Sequence, residues 1–336
     1  MVVRALAFCA LAVTVAMPLA ARAYDDMYSR AELIKDAARL ATAVRKIYRI
    51  GLEPALRPEE RRRLGRVVFD FPMPDHNSEL LNFYAYRDTQ QSHVIMPMLS
   101  LKQLEDLTTA YAWLHAKKFS LSTIDMYFAM LRHKSIVDWP QGRFPEPLRA
   151  LGVPKLAYKE PGVDVTSLSL RNEAFAFIIA HELAHILYRH QPYSKITKAQ
   201  ARADELQSDQ FALDLMARTN TAPMGGVLFF RAQVYGMPHR GSFASAKEWN
   251  TYLRTKATHP LSTARITNMA DFIATTFAQR RPGEAATWRW IGRSLRSVSR
   301  ILDDVDIQRC IVKTAASSSL DTLKPRTSRI GIEACM

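Results

Sequence analysis

Two histidines and a glutamate stand close together in the segment LRNEAFAFIIAHELAHILYRH, which runs from Leu170 to His190. They form the pattern H-E-x-x-H, with His181, Glu182 and His185. Residues four apart lie on one face of a helix, so the two imidazoles could bind one zinc ion, with Glu182 beside a water molecule on the metal. Apolar residues recur around them at helical spacing and no proline interrupts, which predicts a helix here.

The same histidines could be satisfied polar residues of a buried helix, because so short a pattern also arises by chance. A hydrolytic zinc site takes three protein ligands, so a third ligand is expected nearby. Glu205 opens the next predicted helix, and an antiparallel helix pair would bring it to the metal. Asp209 follows one helical turn later, where it could accept the second ring N–H of a ligating histidine. The alternative for both acidic residues is a solvated helix face.

H-E-x-x-H followed by E-x-x-x-D on the next helix resembles the gluzincin metallopeptidases, in particular the CAAX prenyl protease and HtpX type. Three further stretches are similar to that family and occur in its order. They are NFYAY with HVIMP (82–86 and 93–97), AFIIAHELAH (176–185) and THPLSTARI (258–266). The likeness covers roughly residues 67–277.

This resemblance implies a mainly helical α+β fold, with a zincin-like catalytic domain and a small β-sheet or hairpin at the active-site edge. It implies that Asn82 and Ala85 lie on a substrate-binding edge, to which an extended peptide would add as another strand. It also implies that His259 and Arg265 lie near the cleft, where either could stabilise an oxyanion. The alternative is that His259 caps a helix and Arg265 pairs with a carboxylate.

The sequence departs from this family in three respects. Ser208 stands where alanine is more common, and the insertion at 102–169 is longer than a minimal member needs. The sequence has no hydrophobic spans like those of the membrane-embedded members. We expect the proline-rich, loop-like stretch at 139–161 within this insertion to cover or border the cleft.

Residues 1–23 have the pattern of a secretory signal peptide. Arg4 gives a short basic start, an apolar run covers 6–20, and the sequence Ala-Arg-Ala that ends at Ala23 fits a cleavage site. The mature chain would begin at Tyr24 and would be periplasmic or secreted. An uncleaved anchor is the competing interpretation, although the apolar run is short for a bilayer span.

The rest of the chain carries no linker-like tract, which favours one large unit. We expect an N-terminal helical segment at 24–60, a metallopeptidase domain at 61–280, and a C-terminal helix and tail at 281–336. Two cysteines, Cys310 and Cys335, remain after loss of the leader. In an oxidising compartment they could form a disulfide that ties down the tail, or they could stay as free thiols.

The chain is strongly basic, with a formal net charge of +14, which becomes +12 when Arg4 and Arg22 leave with the leader. Such a charge favours acidic partners, whether membrane surface, nucleic acid or envelope polymers. The basic residues are scattered, however, and the arginines at 289, 293, 296 and 300 are typical of a solvated helix face. We therefore expect no specific nucleic-acid partner, and at most peripheral contact with an anionic membrane surface.

These residues together predict an enzyme with one zinc ion per chain, a metalloendopeptidase that acts on protein or peptide substrates in the cell envelope. Glu182 would take a proton from the attacking water and pass it to the leaving amine. One alternative is a catalytically silent or autoinhibited zinc-binding chaperone or binding protein, which would bind zinc without cleavage. Another is a binding module with a purely structural motif, which would bind no metal tightly.

Overall fold

The computed structural model describes residues 24, 26–75, 78–238, 240, 243–255, 261–328 and 331–336. The helices are α1 (Arg30–Lys46), α2 (Glu53–Ala55), α3 (Pro58–Leu64), α4 (Met98–Ala116), α5 (Ser122–His133), α6 (Pro147–Ala150), α7 (Val163–Leu187), α8 (Lys198–Arg218), α9 (Met224–Gly236), α10 (Ala246–Thr255), α11 (Thr263–Phe272), α12 (Ala278–Arg280), α13 (Ala285–Asp303) and α14 (Val305–Ser317). The strands are β1 (Arg66–Asp70), β2 (Tyr84–Arg87) and β3 (Gln91–Ile95). The predicted fold class, mainly helical α+β with a small sheet, is confirmed.

The helix that carries H-E-x-x-H, α7, runs through the centre of the core. It packs against α8, α4 and α9. From Ala174 to Leu187 every residue is buried except His185, which is half-buried. A helix that is apolar on all sides is stable only when other elements surround it. The motif therefore lies on a rigid, enclosed helix, and His185 is the motif residue most accessible to solvent.

Helix α9 approaches α7 unusually closely, and a glycine makes this possible. A Cβ atom on Gly225 would lie 2.1 Å from the backbone nitrogen of Ala174, which no side chain could tolerate. By residue type, Pro223, Gly225 and Gly226 would indicate a break between helices. In the structure both glycines lie in the first turn of α9, where they permit a close helix crossing.

The sheet has the strand order β1-β3-β2, with β1 parallel and β2 antiparallel to β3. Ala85 pairs with Val94, and Tyr86 pairs with His93. Among the described strands, β2 has a neighbour on one side only. Its other side is an edge with unpaired backbone groups.

A disulfide bond links the C-terminal segment to α14. Cys310 and Cys335 form a disulfide with a Cα–Cα distance of 5.6 Å. On α13, the arginines at 289, 293, 296 and 300 are exposed, and Arg296 pairs with Asp271 of α11. No helix in the described part of the chain is long and apolar enough to cross a membrane.

An ion cluster joins α7 to the N-terminal helices. Arg39 of α1 lies 2.6 Å from Glu105 of α4, and Arg171 of α7 lies 2.7 Å from the same carboxylate. Burial alone would raise the pKa of Glu105, but Arg39, Lys102 and Arg171 together lower it to about 2. The cluster therefore favours the ionised carboxylate and fixes α7 against α1 and α4.

We predict that Glu105→Gln lowers the free energy of unfolding at pH 7 by about 2–3 kcal/mol, since each pKa unit corresponds to about 1.4 kcal/mol. Because folding lowers the pKa of Glu105, its carboxylate stabilises the folded state above the unfolded pKa of 4.5. This stabilisation is lost as the pH falls toward about 2. The difference between wild type and variant should therefore shrink over that window in urea titrations. Glu59→Gln, on the exposed surface of α3, is the control. A constant difference across the window would contradict this account.

Candidate active site

Three potential ligand atoms converge where α8 packs on α7. Nε2 of His181 lies 3.1 Å from Nε2 of His185 and 3.5 Å from Oε2 of Glu205. Nε2 of His185 lies 3.4 Å from Oε1 of Glu205. Ligands about 2.1 Å from a tetrahedral ion are separated from one another by about 3.4 Å. The donor set and its spacing therefore fit a metal ion held by two imidazoles and one carboxylate.

The far side of His181 is fixed by a buried carboxylate. Its Nδ1 lies 2.9 Å from Oδ1 of Asp209, so Nδ1–H donates to Asp209 and Nε2 faces Glu205. Arg265 of α11 clamps Asp209 through two bonds of 2.6 and 2.8 Å. The same guanidinium reaches Oε2 of Glu205 at 2.6 Å. Tyr193, in the turn before α8, donates its hydroxyl to the other oxygen of Glu205.

The charges in this cluster depend on one another. Burial alone would raise the pKa of Asp209, but Arg265 and then His181 hold it below its usual value. Burial alone would lower the pKa of His181, but Asp209 and Glu205 raise it to about 10. Burial lowers the pKa of His185, which therefore favours the neutral, ligating form. Two buried carboxylates thus face the guanidinium of Arg265 and the imidazole of His181.

His190 supports the second imidazole, although the sequence offers it no partner at ligand spacing. In the structure, Nδ1 of His190 lies 3.0 Å from Nδ1 of His185, and its Nε2 lies 2.9 Å from Oε1 of Gln207. Because Nε2 of His185 faces the ligand cluster, its Nδ1–H donates to His190, which in turn donates to Gln207.

The position of His190 depends on how α7 ends. Arg189 has a φ of 58°, a left-handed conformation that is unusual for a residue other than glycine. It turns the chain so that His190 folds back and its N–H bonds to the carbonyl of His185 at 3.0 Å. Ser208, the predicted departure from alanine, lies with its hydroxyl 3.5 Å from Nδ1 of His190. No feature of the local sequence signals such a reversal.

A cleft opens beside the ligand cluster. Its polar wall consists of His181, Glu182 and Arg265. The remaining lining residues come from the segment before β2, from α7 and from α9: Leu81, Phe83, Phe177, Ile178, Phe229 and Gln233. Glu182 therefore faces a largely apolar cleft, next to the three ligands.

Strand β2 follows directly after Leu81 and Phe83, which line the cleft. Asp88 and Gln91 form a hydrogen-bonded pair at the hairpin end, with an N···O distance of 3.1 Å. Because such pairs alternate in an antiparallel ladder, Tyr86 bonds to His93 of β3, whereas the N–H and C=O of Ala85 point to the open edge. Asn82 lies before the strand, and its N–H donates to Ser100 at 3.2 Å. Of the two predicted edge residues, Ala85 thus directs its backbone groups to the edge, where they have no backbone partner among the described residues.

The family model of Peptidase U49 matches residues 97–286, more than half of the chain. The chain belongs to the Peptidase U49 family. No curated protein and no solved structure matches it. The protein is therefore a peptidase, and peptidases act on protein or peptide substrates.

The Peptidase U49 region contains most of the site. It begins at the start of α4 and includes α7, α8, α9 and α11, hence all three ligands and Arg265. The strands precede it.

Arg265 is 1% exposed and pairs with carboxylates, which is the second of the two roles considered for it. His259 lies outside the described residues.

The insertion at 102–169 contributes none of the residues that line the described cleft. Helix α4, most of which lies in the insertion, packs along α7. The described cleft is lined by the segment before β2, by α7 and α9, and by Arg265 of α11. That the loop at 139–161 covers or borders the cleft stays a prediction.

We predict that His190→Ala weakens binding of a divalent metal by about 10- to 100-fold, because outer-shell partners orient ligating histidines. Competition between the purified protein and a chelator for zinc measures this directly, without any assay of activity. The control is His115→Ala, since His115 lies exposed on α4. Equal zinc affinities for the two variants would contradict the proposed support of His185.

Proposed function

We propose that this peptidase is a zinc-dependent endopeptidase. The observation that carries the proposal is the convergence of His181, His185 and Glu205, whose ligand atoms all lie within 4.8 Å of one another. Two imidazoles and a carboxylate are the ligand set of hydrolytic zinc sites that keep one position for water. The resemblance to CAAX prenyl protease and HtpX-type gluzincins supports the same conclusion.

A bound zinc ion supplies a Lewis acid that acidifies water and polarises a carbonyl. The protein supplies the proton transfer. Glu182 is 3% exposed and lines the cleft beside the ligands, so its carboxylate can take a proton from the attacking water. It can then pass that proton to the leaving amine. Asp209 keeps the proton of His181 on Nδ1, so that Nε2 stays available.

Arg265 has a positioning role in this scheme. Its guanidinium pairs with both Asp209 and Glu205, so one positive charge is shared by two buried carboxylates. The edge of β2 would hold an extended substrate by main-chain hydrogen bonds, which tolerate many sequences. The predicted oxyanion role of His259 stays a prediction.

The alternative hypothesis, a catalytically silent zinc-binding protein, would differ from the enzyme only in turnover. It would hold zinc through the same three ligands and would not respond to loss of Glu182.

Export to the cell envelope stays a prediction from the leader sequence. A mature chain that starts at Tyr24 on N-terminal sequencing would support it, and an intact leader would contradict it.

We predict that Glu182→Gln keeps about one zinc per chain but loses at least about 100-fold in kcat on a cleaved peptide, because general acid–base catalysis contributes about 10²–10⁴. His181→Ala and Glu205→Ala should lose zinc as well. Elemental analysis and peptide cleavage, on the same samples, measure the two effects. The matched control is Glu173→Gln, on the same helix but away from the cleft. Normal cleavage by Glu182→Gln would contradict the role of Glu182 as the base. A wild-type protein that binds no zinc would contradict the metal site.

A second substitution tests the edge strand. Ala85→Pro removes an N–H that points away from β3, a position where proline is tolerated. We predict a KM raised by up to about 10-fold, the cost of one lost hydrogen bond, with little change in thermal midpoint. Tyr86→Pro removes an N–H that bonds to β3 and should lower the thermal midpoint instead. An unchanged KM in Ala85→Pro would show that substrate does not pair with this edge.

A further inference from the structure

Helix α13 has two faces of opposite character. One face packs against α11 and α9, with Trp288, Leu295 and Val298 buried. A Cβ atom on Gly292 would lie 2.6 Å from the carbonyl oxygen of Ala270 in α11, so the two helices cross in close backbone contact. This contact fixes α13 on the body of the protein and leaves its other face exposed to solvent.

The exposed face of α13 is basic along its whole length. Its arginines, at 289, 293, 296 and 300, recur at helical spacing, and no acidic residue occurs from 285 to 302. Arg296 pairs with Asp271 of α11. Arg289, Arg293 and Arg300 form no ion pair with any residue that the structure describes. Like charges one turn apart repel each other, so this face would gain from an anionic partner.

A tryptophan stands among these arginines. Trp290 is 63% exposed, whereas the four other tryptophans of the chain are buried or half-buried. It lies one turn before Arg293 on the same side of the helix. A single exposed apolar residue is common on protein surfaces. Tryptophan beside arginine, however, is typical of contact with the boundary of a bilayer, where the ring lies among the headgroups and the cations meet lipid phosphates.

The shape of this face favours a flat anionic partner. A helix surface is convex, and the row of arginines from 289 to 300 is about 16 Å long at about 1.5 Å per residue. Proteins that bind single-stranded nucleic acid use a basic groove in which several rings stack on successive bases. The face of α13 offers one ring on a convex surface. A bilayer surface requires neither a groove nor a series of rings.

We propose that α13 binds this protein to the surface of an anionic phospholipid bilayer. Trp290 lies among the headgroups, and Arg289, Arg293 and Arg300 contact lipid phosphates. Helix α11 packs both on α13 and on α8, which carries Glu205. Binding through α13 therefore places one helix between the bilayer and the ligand cluster. This surface contact depends neither on zinc nor on cleavage, so it goes beyond the proposed function.

Co-sedimentation of the full chain with vesicles measures the role of charge. We expect binding to vesicles of phosphatidylcholine mixed with phosphatidylglycerol, and much less to phosphatidylcholine alone. Arg289→Gln combined with Arg293→Gln should lower the partition coefficient by about 25-fold, since each basic residue at an anionic surface contributes about 5-fold. The matched control is Arg62→Gln combined with Arg63→Gln, which removes the same charge from the exposed surface of α3. It should have little effect, because charges beyond about 10 Å are screened.

Fluorescence quenching by lipids with brominated acyl chains measures the position of the ring. Such lipids should quench part of the wild-type tryptophan emission, and Trp290→Phe should abolish this quenching while vesicle binding persists. The predicted leader contains no tryptophan, and it is common to every variant, so it cannot account for either difference.

Three results would overturn the inference: equal binding to neutral and anionic vesicles, equal losses in the two double variants, or quenching that survives in Trp290→Phe. Anisotropy of a labelled oligonucleotide covers the other anionic partner. Oligonucleotide binding that the α13 double variant weakens, without vesicle binding by wild type, would assign this face to nucleic acid and overturn the bilayer contact. None of these measurements uses turnover, so loss of the proposed peptidase function would leave them unchanged.

Discussion

The site depends on two carboxylates that the fold buries completely. Glu205 and Asp209 are both 0% exposed, one turn apart on α8. An unpaired charge in such a position costs several kcal/mol, and removal of one partner of a buried pair typically costs about 3–5 kcal/mol. Arg265 meets both carboxylates at once, so α11 is fixed to α8 by the same interactions that orient the site. The helices around the motif are therefore held in register by charge as well as by apolar packing.

This cluster also explains why a divalent cation suits the site. Glu205 and Asp209 carry two negative charges, and Arg265 balances one of them. Against the effect of burial, the two carboxylates raise the pKa of His181 to about 10, so this pocket favours a further positive charge. A divalent metal ion would supply that charge while the imidazole binds in its neutral form.

The sequence allowed the local part of this arrangement to be predicted, since it depends on helical spacing. His181 and His185 share a face, and Asp209 follows Glu205 by one turn, whatever the rest of the chain does. Arg265 lies 56 residues from Asp209, so their pairing depends on the packing of α11 on α8, which the sequence does not specify. His190 depends on the left-handed Arg189, a conformation that residue type does not signal. The role of Gly225 could not be predicted either, because a glycine that permits helix contact looks the same in sequence as one that ends a helix.

The cleft combines two parts of the chain with different constraints. The ligands, Glu182 and Arg265 lie on α7, α8 and α11, where burial and charge leave little freedom. Phe229 and Gln233 lie on α9, whose position follows from the contact of Gly225 with α7. Phe83 and the open edge of β2 lie before residue 97, outside the matched Peptidase U49 region. The ligand cluster and the apolar wall of the cleft are thus fixed largely by the matched region, whereas the open edge of β2 is contributed from outside it.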